Sequence, residues 1–241
     1  LRFSTMAMAP LPPLAIAAEM GGMNRATKAH FRTMRELQYL LLNEPPDSAP
    51  GWSCVDLKVS PQTDELHGLR LIVPDVEMIE RRADGDRIPI KAAIIQIDFA
   101  QGAMPARTVL FSGLVDPDII DVNWASSEEM WDDKKDITGL SYKDLVKAKK
   151  RGEMTPLRDV QKCVQDALHP MAFVAAHNLA SDLKALRLYG ASLRRRAIDT
   201  QAIYPHANGA RASLKALVGS MLPKDEWGGF QDGTHEPEAD A

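Results

Sequence analysis

Apolar and polar positions alternate along several short segments of the chain, and this spacing predicts β-strands. The predicted strands cover residues 69–77, 91–98, 106–115, 171–176 and 196–199. Between the later strands, apolar residues recur every three or four positions, which predicts helices that begin near Thr155, at Leu179 and near residue 211. Three strands followed by alternating helices and strands favour a mixed α/β sheet flanked by helices.

The N-terminal part of the chain has a different pattern. Residues 1–26 are apolar but interrupted by prolines, which predicts a disordered leader, with a targeting segment as the alternative. Residues 27–43 predict an amphipathic helix that packs against the domain or, as the alternative, binds a partner. A proline-rich linker follows it. We therefore expect a leader at 1–26, a helix and linker at 27–68, and one domain at 69–241.

The composition narrows the class of protein. The chain has 241 residues, of which 45% are hydrophobic, and this supports a core of domain size. The net charge of −4 argues against binding nucleic acid by bulk attraction, although bound metal ions would invert the local field. Cys54 and Cys163 lie too far apart for a zinc spacing or a disulfide framework. No apolar run reaches the length of a membrane span.

Asp75 and Glu77 lie two residues apart at the end of the first predicted strand of the domain. Because side chains alternate across a strand, both carboxylates share one face and repel each other unless a cation lies between them. Carboxylates and waters are the ligands that magnesium prefers. The alternative is a solvated acidic strand end.

Asp182 falls on the apolar stripe of its predicted helix, between Leu179 and Leu186. A lone carboxylate buried there would be unfavourable and would tend to take up a proton. A metal ion or a buried arginine would remove the conflict, and the alternative is an acid that reaches water at the edge of the stripe.

The C-terminal segment adds His235 and Asp240. Pro237 suits the start of a helix, which would place Asp240 in its first turn. A histidine at the mouth of a carboxylate cluster can accept a proton from water near neutral pH. Taken alone the segment predicts only an acidic surface turn, but four carboxylates and one histidine in this order indicate a nuclease that uses two magnesium ions.

Five segments carry a resemblance to a known family. They are PDVEMIE at 74–80, AAHNLASDLKALRL at 175–188, AIDTQAIYPH at 197–206, RASLKAL at 211–217 and GTHEPEADA at 233–241. In their order and residue types they resemble the DEDDh exonucleases, most closely the RNA exonuclease 4-like (Rex-type) branch. Val76 stands where that branch usually has cysteine. The resemblance covers about residues 69–241.

The resemblance implies a ribonuclease H-like fold with a mixed five-stranded sheet, here without the family's C-terminal helix. It implies a 3′–5′ exonuclease that hydrolyses single-stranded RNA to nucleoside 5′-monophosphates with two Mg²⁺ ions, for which Mn²⁺ substitutes. The ions would be held by four carboxylates, those of Asp75, Glu77, Asp182 and Asp240. His235 would take the proton of the attacking water, while Met78 and Asn178 would contact the substrate.

The sequence allows alternatives for both the function and the location of the protein. A DNA exonuclease with the same chemistry and a non-catalytic module that keeps the fold are the alternative functions. The resemblance implies a nuclear or nucleolar location, with a cytoplasmic or organellar one as the alternative. The family also lacks the charged run at 80–87 and has a shorter segment than the acidic one at 122–139.

Two basic runs and two tryptophans also allow two interpretations each. The runs at 147–151 and 194–196 are phosphate contacts or solvated faces, and the first also resembles a weak nuclear localisation signal. Trp124 and Trp131 either stack on bases or anchor the long acidic loop. We interpret His177 and His206 as structural.

Overall fold

The computed structural model describes most of the predicted domain and a short segment before it. The described residues are 50–55, 69–99, 104–168, 172–190, 193, 196–204, 212–223, 230–231, 235 and 237–241. The predicted leader and the predicted helix at 27–43 lie outside them, as does His206. In the part that is described, no helix is long and apolar enough to cross a membrane.

Strands dominate the first half of the described chain, and helices alternate with strands after it. The strands are β1 (Ser53–Cys54), β2 (Arg70–Arg81), β3 (Arg87–Asp98), β4 (Ala106–Asp116), β5 (Trp131–Asp132), β6 (Thr155–Pro156), β7 (Ala172–Ala176), β8 (Leu188–Tyr189) and β9 (Ala197–Asp199). The helices are α1 (Lys135–Thr138), α2 (Tyr142–Lys150), α3 (Leu157–Ala167), α4 (Leu179–Ala185), α5 (Thr200–Ile203), α6 (Leu214–Met221) and α7 (Pro237–Asp240).

One mixed sheet forms the centre of the fold. Its strand order is β6-β4-β3-β2-β7-β9, and β5 pairs with the end of β2. β2, β3 and β4 are antiparallel neighbours, whereas β7 runs parallel to β2 and β9 runs parallel to β7. The longer strands, β4-β3-β2-β7-β9, confirm the predicted mixed five-stranded sheet, and the two-residue strands β5 and β6 extend it.

The two faces of the sheet bury different apolar clusters, because side chains along a strand alternate between them. On one face, Ile72 and Val76 of β2 join the large core made with α3 and α4. On the other face, Val73 packs with a small cluster that includes Ala241, and Ile79 packs with a third cluster around Trp124 and Trp131. Asp75 and Glu77 therefore lie between two apolar patches of the same face.

The hairpin between β2 and β3 corrects the predicted strand ends. The charged run at 80–87 continues both strands and closes a short turn in which Gly85 N–H donates to the carbonyl of Arg81. The guanidinium of Arg81 pairs with Asp84 at 2.9 Å and with Asp86 at 3.3 Å. The predicted strand ends at residues 77 and 91 were wrong. The charged side chains of the run form ion pairs along the hairpin, so both strands continue through it.

The two tryptophans of the acidic loop are buried, with 0% of Trp124 and 2% of Trp131 exposed. The indole N–H of Trp124 donates to the carboxylates of Asp116 and Asp118, at 3.2 and 3.0 Å. Both side chains therefore anchor the loop, and the alternative of base stacking is wrong.

The basic run at 147–151 lies in and just after α2, and most of its charges are paired with nearby acids. Lys147 lies 3.7 Å from Asp144, and Lys149 lies 3.3 Å from Asp116 and also contacts Asp118. Arg151 lies 2.8 Å from Glu153. Of the second basic run, Arg196 is buried with 2% exposed, and residues 194 and 195 lie outside the described part.

A short segment of the predicted linker is paired with the domain. β1 lies parallel to β8, and Val55 N–H donates to the carbonyl of Tyr189 at 2.7 Å. A Cβ on Gly190 would lie only 2.3 Å from the carbonyl oxygen of Val55. Glycine is therefore required where this segment crosses the domain.

Candidate metal centre

Two acidic side chains of β2 form the first part of the site. Glu77 is buried, with 8% exposed, and Asp75 is half-buried. β2 pairs with β7 only from Arg70 to Ile72, and Pro74, which has no N–H to donate, follows two residues later. The edge of β2 beyond this point is therefore available to other groups.

Asp182 approaches that edge from the first turn of α4. Its carboxylate accepts a hydrogen bond from the backbone N–H of Val76, and 5% of the residue is exposed. It lies on the same helix stripe as Leu179 and Leu186, which are fully buried, as the spacing predicts. The alternative in which this acid reaches water is wrong.

The carboxylates repel one another, and their pKa values reflect this. Burial, together with the negative charges of Glu77 and Asp240, raises the pKa of Asp75 to about 8. Burial also raises the pKa of Asp182 well above its ordinary value, and the charge of Asp75 adds to the effect. A proton or a cation is needed to relieve this repulsion.

The C-terminal segment brings the remaining two predicted residues to the site. α7 packs on the sheet through buried Pro237, and Ala241 joins the cluster around Val73. The Nδ1 atom of His235 lies 3.5 Å from Oδ2 of Asp240 and 3.9 Å from Oε1 of Glu77. The fold thus gathers all five predicted residues, since Asp240 and Glu77 also act on the charge of Asp75.

The gathered donors suit a divalent cation. Ligand atoms of Glu77, His235 and Asp240 lie within 4.8 Å of one another. Of this trio His235 is the most exposed, with 34% of its side chain accessible, against 6% for Asp240. Carboxylate oxygens are the donors that hard cations prefer, and a cation there would neutralise the repulsion that raises the pKa of Asp75.

Three hydrogen bonds that the sequence did not predict hold the C-terminal segment. Gln231 Nε2 donates to Asp240 Oδ2 at 2.6 Å, and His235 N–H donates to the carbonyl of Ile137 at 2.8 Å. Arg107 of β4 donates to the carbonyl of Glu238 at 2.8 Å. A polar side chain in an irregular segment carries no periodic signal, so nothing in the sequence distinguishes these residues from solvated ones.

The two predicted substrate contacts lie beside the site. Met78 follows Glu77 on β2 and packs partly against the large core, on the opposite face of the strand. Asn178 precedes α4 with a φ of 69°, and its N–H donates to Oδ1 of Asp199 at 3.0 Å. Their roles toward a substrate stay predictions.

Asp199 is a further acid at the site that the sequence did not assign. It is 3% exposed, and its Oδ1 also accepts from the N–H of Gln201, at the start of α5. Its Oδ2 has no hydrogen-bond partner among the described residues, and its charge contributes to the raised pKa of Asp182. The available signal was an acid at the end of a strand and immediately before a helix, a common helix cap.

His177 supports the same turn, as expected of a structural residue. Its Nε2 lies 2.9 Å from the carbonyl of Ala212, so this nitrogen carries the proton and donates it. Its Nδ1 lies 3.1 Å from the hydroxyl of Thr200. Burial lowers the pKa of His177.

Comparison with known proteins gives partial sequence matches. No protein-family model matches the chain. RNA exonuclease 5 of Macaca fascicularis is 33% identical to it over 85 residues, which are 35% of this chain and 10% of that protein. RNA exonuclease 5 of Bos taurus gives the same identity and coverage. The matched part thus spans about a tenth of these curated relatives.

Solved structures give a likeness over most of the chain. A Saccharomyces cerevisiae Pan2 pseudoubiquitin hydrolase-RNA exonuclease module, in complex with AAGGA RNA, has a TM-score of 0.52 and 15% identity, covering 85% of this chain and 31% of that one. The same module with AACCAA RNA has a TM-score of 0.50 and 15% identity, covering 84% and 31%. At this identity the likeness concerns the fold, and it confirms the predicted ribonuclease H-like architecture.

Together the comparisons show a fold shared with Pan2 RNA exonuclease modules and a partial sequence likeness to RNA exonuclease 5 proteins, and membership of the DEDD-type exonuclease family stays a prediction. They do not single out the RNA exonuclease 4-like branch, because the sequence relatives are RNA exonuclease 5 proteins and the structural neighbours are Pan2 modules. That branch stays a prediction.

Proposed function

We propose that this chain is a divalent-metal-dependent 3′–5′ exoribonuclease that releases nucleoside 5′-monophosphates. The observation that carries the proposal is the convergence of Asp75, Glu77, Asp182 and Asp240 with His235 on one side of β2. The pKa values of Asp75 and Asp182 are raised, which is typical of carboxylates that bind a cation or exchange a proton at a functional site.

The four carboxylates would hold two magnesium ions, which, when bound, neutralise the developing charge of a phosphodiester undergoing hydrolysis. The protein's own side chains would orient the reacting groups and accept a proton. His235 is the most accessible member of the trio, and its imidazole would accept the proton of the attacking water. The carboxylates of Glu77 and Asp240, within 4 Å of Nδ1, would stabilise the imidazolium that results.

RNA is the substrate class that the comparisons favour. Both sequence relatives are named RNA exonucleases, and both Pan2 structures described above are RNA exonuclease modules in complex with RNA. The family resemblance adds the 3′–5′ direction and a nuclear or nucleolar location, the latter testable by imaging a fluorescent fusion.

Incubation of 5′-labelled single-stranded RNA with the protein and magnesium, manganese or a chelator tests the proposal. A ladder that shortens by one nucleotide at a time, and only with metal, is the expected result. A DNA strand of the same sequence measures the sugar preference, and an identically purified Asp182→Asn variant controls for contaminating nucleases. The proposal would be overturned if the parent and the variant hydrolysed RNA at the same rate in the presence of metal.

A further inference from the structure

Gln231 donates a hydrogen bond to the C-terminal acid of the cluster, Asp240. Its side-chain nitrogen lies 2.6 Å from Oδ2 of Asp240, the oxygen that also lies 3.5 Å from Nδ1 of His235. A carboxylate oxygen has two lone pairs. One donor from Gln231 therefore leaves the second lone pair of Oδ2, and both of Oδ1, free for other partners.

The backbone of Gln231 supplies an independent observation. Its φ is 56°, in the left-handed region that glycine and asparagine enter most readily. A glutamine held there is unfavourable unless the surrounding structure requires its side chain. Lys215 of α6 donates to the carbonyl of Gln231 at 3.2 Å, which fixes the residue from a second element.

We propose that Gln231 is a positioning residue that fixes the rotation of the Asp240 carboxylate for metal binding. The inference rests on the proposed function, in which Asp240 is a metal ligand. Partners that hydrogen-bond to a ligating carboxylate hold it in the productive orientation, and their loss lowers metal affinity or activity by roughly 10- to 100-fold.

Two variants separate this role from a merely structural one. Gln231→Met removes the amide and keeps the side-chain length, whereas Gln231→Gly removes the amide and relieves the left-handed backbone. Gln231→Gly is therefore expected to melt at a higher temperature than Gln231→Met. Both variants should bind Mn²⁺ roughly 10- to 100-fold more weakly than the parent, because both lack the amide.

Gln165→Met is the matched control. Gln165 is also half-buried, and its amide donates to Ser53 and Cys54 on another part of the domain. Mn²⁺ affinity of this variant, measured by titration calorimetry on the full chain, should equal that of the parent. RNA hydrolysis at saturating metal should recover in the Gln231 variants, because excess Mn²⁺ offsets weaker binding.

The outcomes are distinguishable. Parent-like Mn²⁺ affinity in Gln231→Met overturns the inference and leaves the proposed function intact. An affinity that follows melting temperature, stronger in Gln231→Gly than in Gln231→Met, also overturns it, because that result indicates a structural role. If the parent itself binds no Mn²⁺ and hydrolyses no RNA, the proposed function fails and the inference fails with it.

Discussion

The acidic cluster is built from two unlike halves. Asp75, Glu77 and Asp182 stand on β2 and α4, whose apolar side chains fill the large core. His235 and Asp240 stand on a short C-terminal segment that is held by individual hydrogen bonds from Gln231 and Arg107 and to Ile137. Packing positions the first half, whereas polar contacts position much of the second.

This difference predicts how each half responds to substitution. A change of charge in the first half leaves the surrounding core intact, so its effect should fall on chemistry. In the second half, the loss of one hydrogen bond should move a functional side chain without unfolding the domain. Substitutions in the two halves therefore test that contrast.

Asp182→Asn should greatly slow RNA hydrolysis while raising the melting temperature of the metal-free protein. The substitution removes an acid whose ionisation is unfavourable beside Asp75, yet the amide oxygen still accepts from Val76 N–H. We expect a loss of activity of roughly 10² to 10³-fold or more, the effect of removing one group that stabilises transition-state charge. Asp75→Asn and Glu77→Gln should lower the rate of hydrolysis to a similar extent.

Asp98→Asn is the control for these three variants, because Asp98 pairs with Arg70 far along the sheet from the cluster. It should keep the parent rate in the same labelled-RNA assay. Unchanged turnover in Asp182→Asn would refute the metal assignment.

His235→Ala should slow hydrolysis by roughly 10² to 10⁴-fold, the usual contribution of a positioned general base. Its backbone N–H would still donate to Ile137, so the segment should stay in place. Mn²⁺ calorimetry sharpens the assignment, because affinity near that of the parent indicates a base and a large loss indicates a ligand. A variant that retains the parent rate would exclude both roles.

Stability of the metal-free protein should fall as pH rises. The pKa of Asp75 is raised from 3.8 to about 8 on folding, so the folded chain holds this proton more tightly than the unfolded chain. The resulting stability is full below about pH 4 and is lost as pH rises through about 8. The melting temperature should therefore fall by several degrees as pH is raised between these two values. Asp75→Asn should make the melting temperature less dependent on pH.

Divalent metal should reverse this trend, because the carboxylate binds the ion only after losing its proton. Magnesium or manganese should therefore raise the melting temperature most at high pH. Equal shifts at low and high pH would contradict the assignment of Asp75 as a ligand.

Arg107→Gln should have the smallest effect. Its side chain is 50% exposed and contacts Glu238 in the turn that carries Asp240. Exposed contacts of this kind are worth less than about 1 kcal/mol, so Mn²⁺ affinity should fall by no more than roughly fivefold. Arg87→Gln, whose arginine is 54% exposed and paired with Glu80 away from the site, should leave affinity unchanged. Equal affinities in both variants would show that Arg107 does not hold the turn.

Periodicity predicted the regular elements well because their apolar faces are long. The strand at 106–115 lies where the spacing places it, and the buried position of Asp182 follows from its apolar stripe. The helix predicted over 179–189 begins at Leu179 as expected but ends at Ala185, and Leu188–Tyr189 form a short strand instead. The hairpin at 80–87 escaped prediction because charged residues that pair across two strands look like a solvated loop in sequence.

Long-range assembly of the site could not be read from periodicity. Asp75 and Asp240 are distant in sequence, and only the order of motifs associated them. Gln231 and Arg107 were missed because their contacts depend on where an irregular segment meets the sheet. Trp124 and Trp131 allowed two interpretations, since a tryptophan in an acidic loop gives no sign of its burial until the loop is folded.

The paired charges in and just after α2 determine how RNA binding through this helix would depend on ionic strength. A basic surface that binds RNA normally releases condensed counterions, so affinity falls steeply as salt increases. Lys147, Lys149 and Arg151 already contact carboxylates, and an RNA phosphate would have to displace those acids instead of mobile ions. Binding through this helix would therefore release few counterions, and added salt would weaken its own ion pairs along with the contacts to RNA.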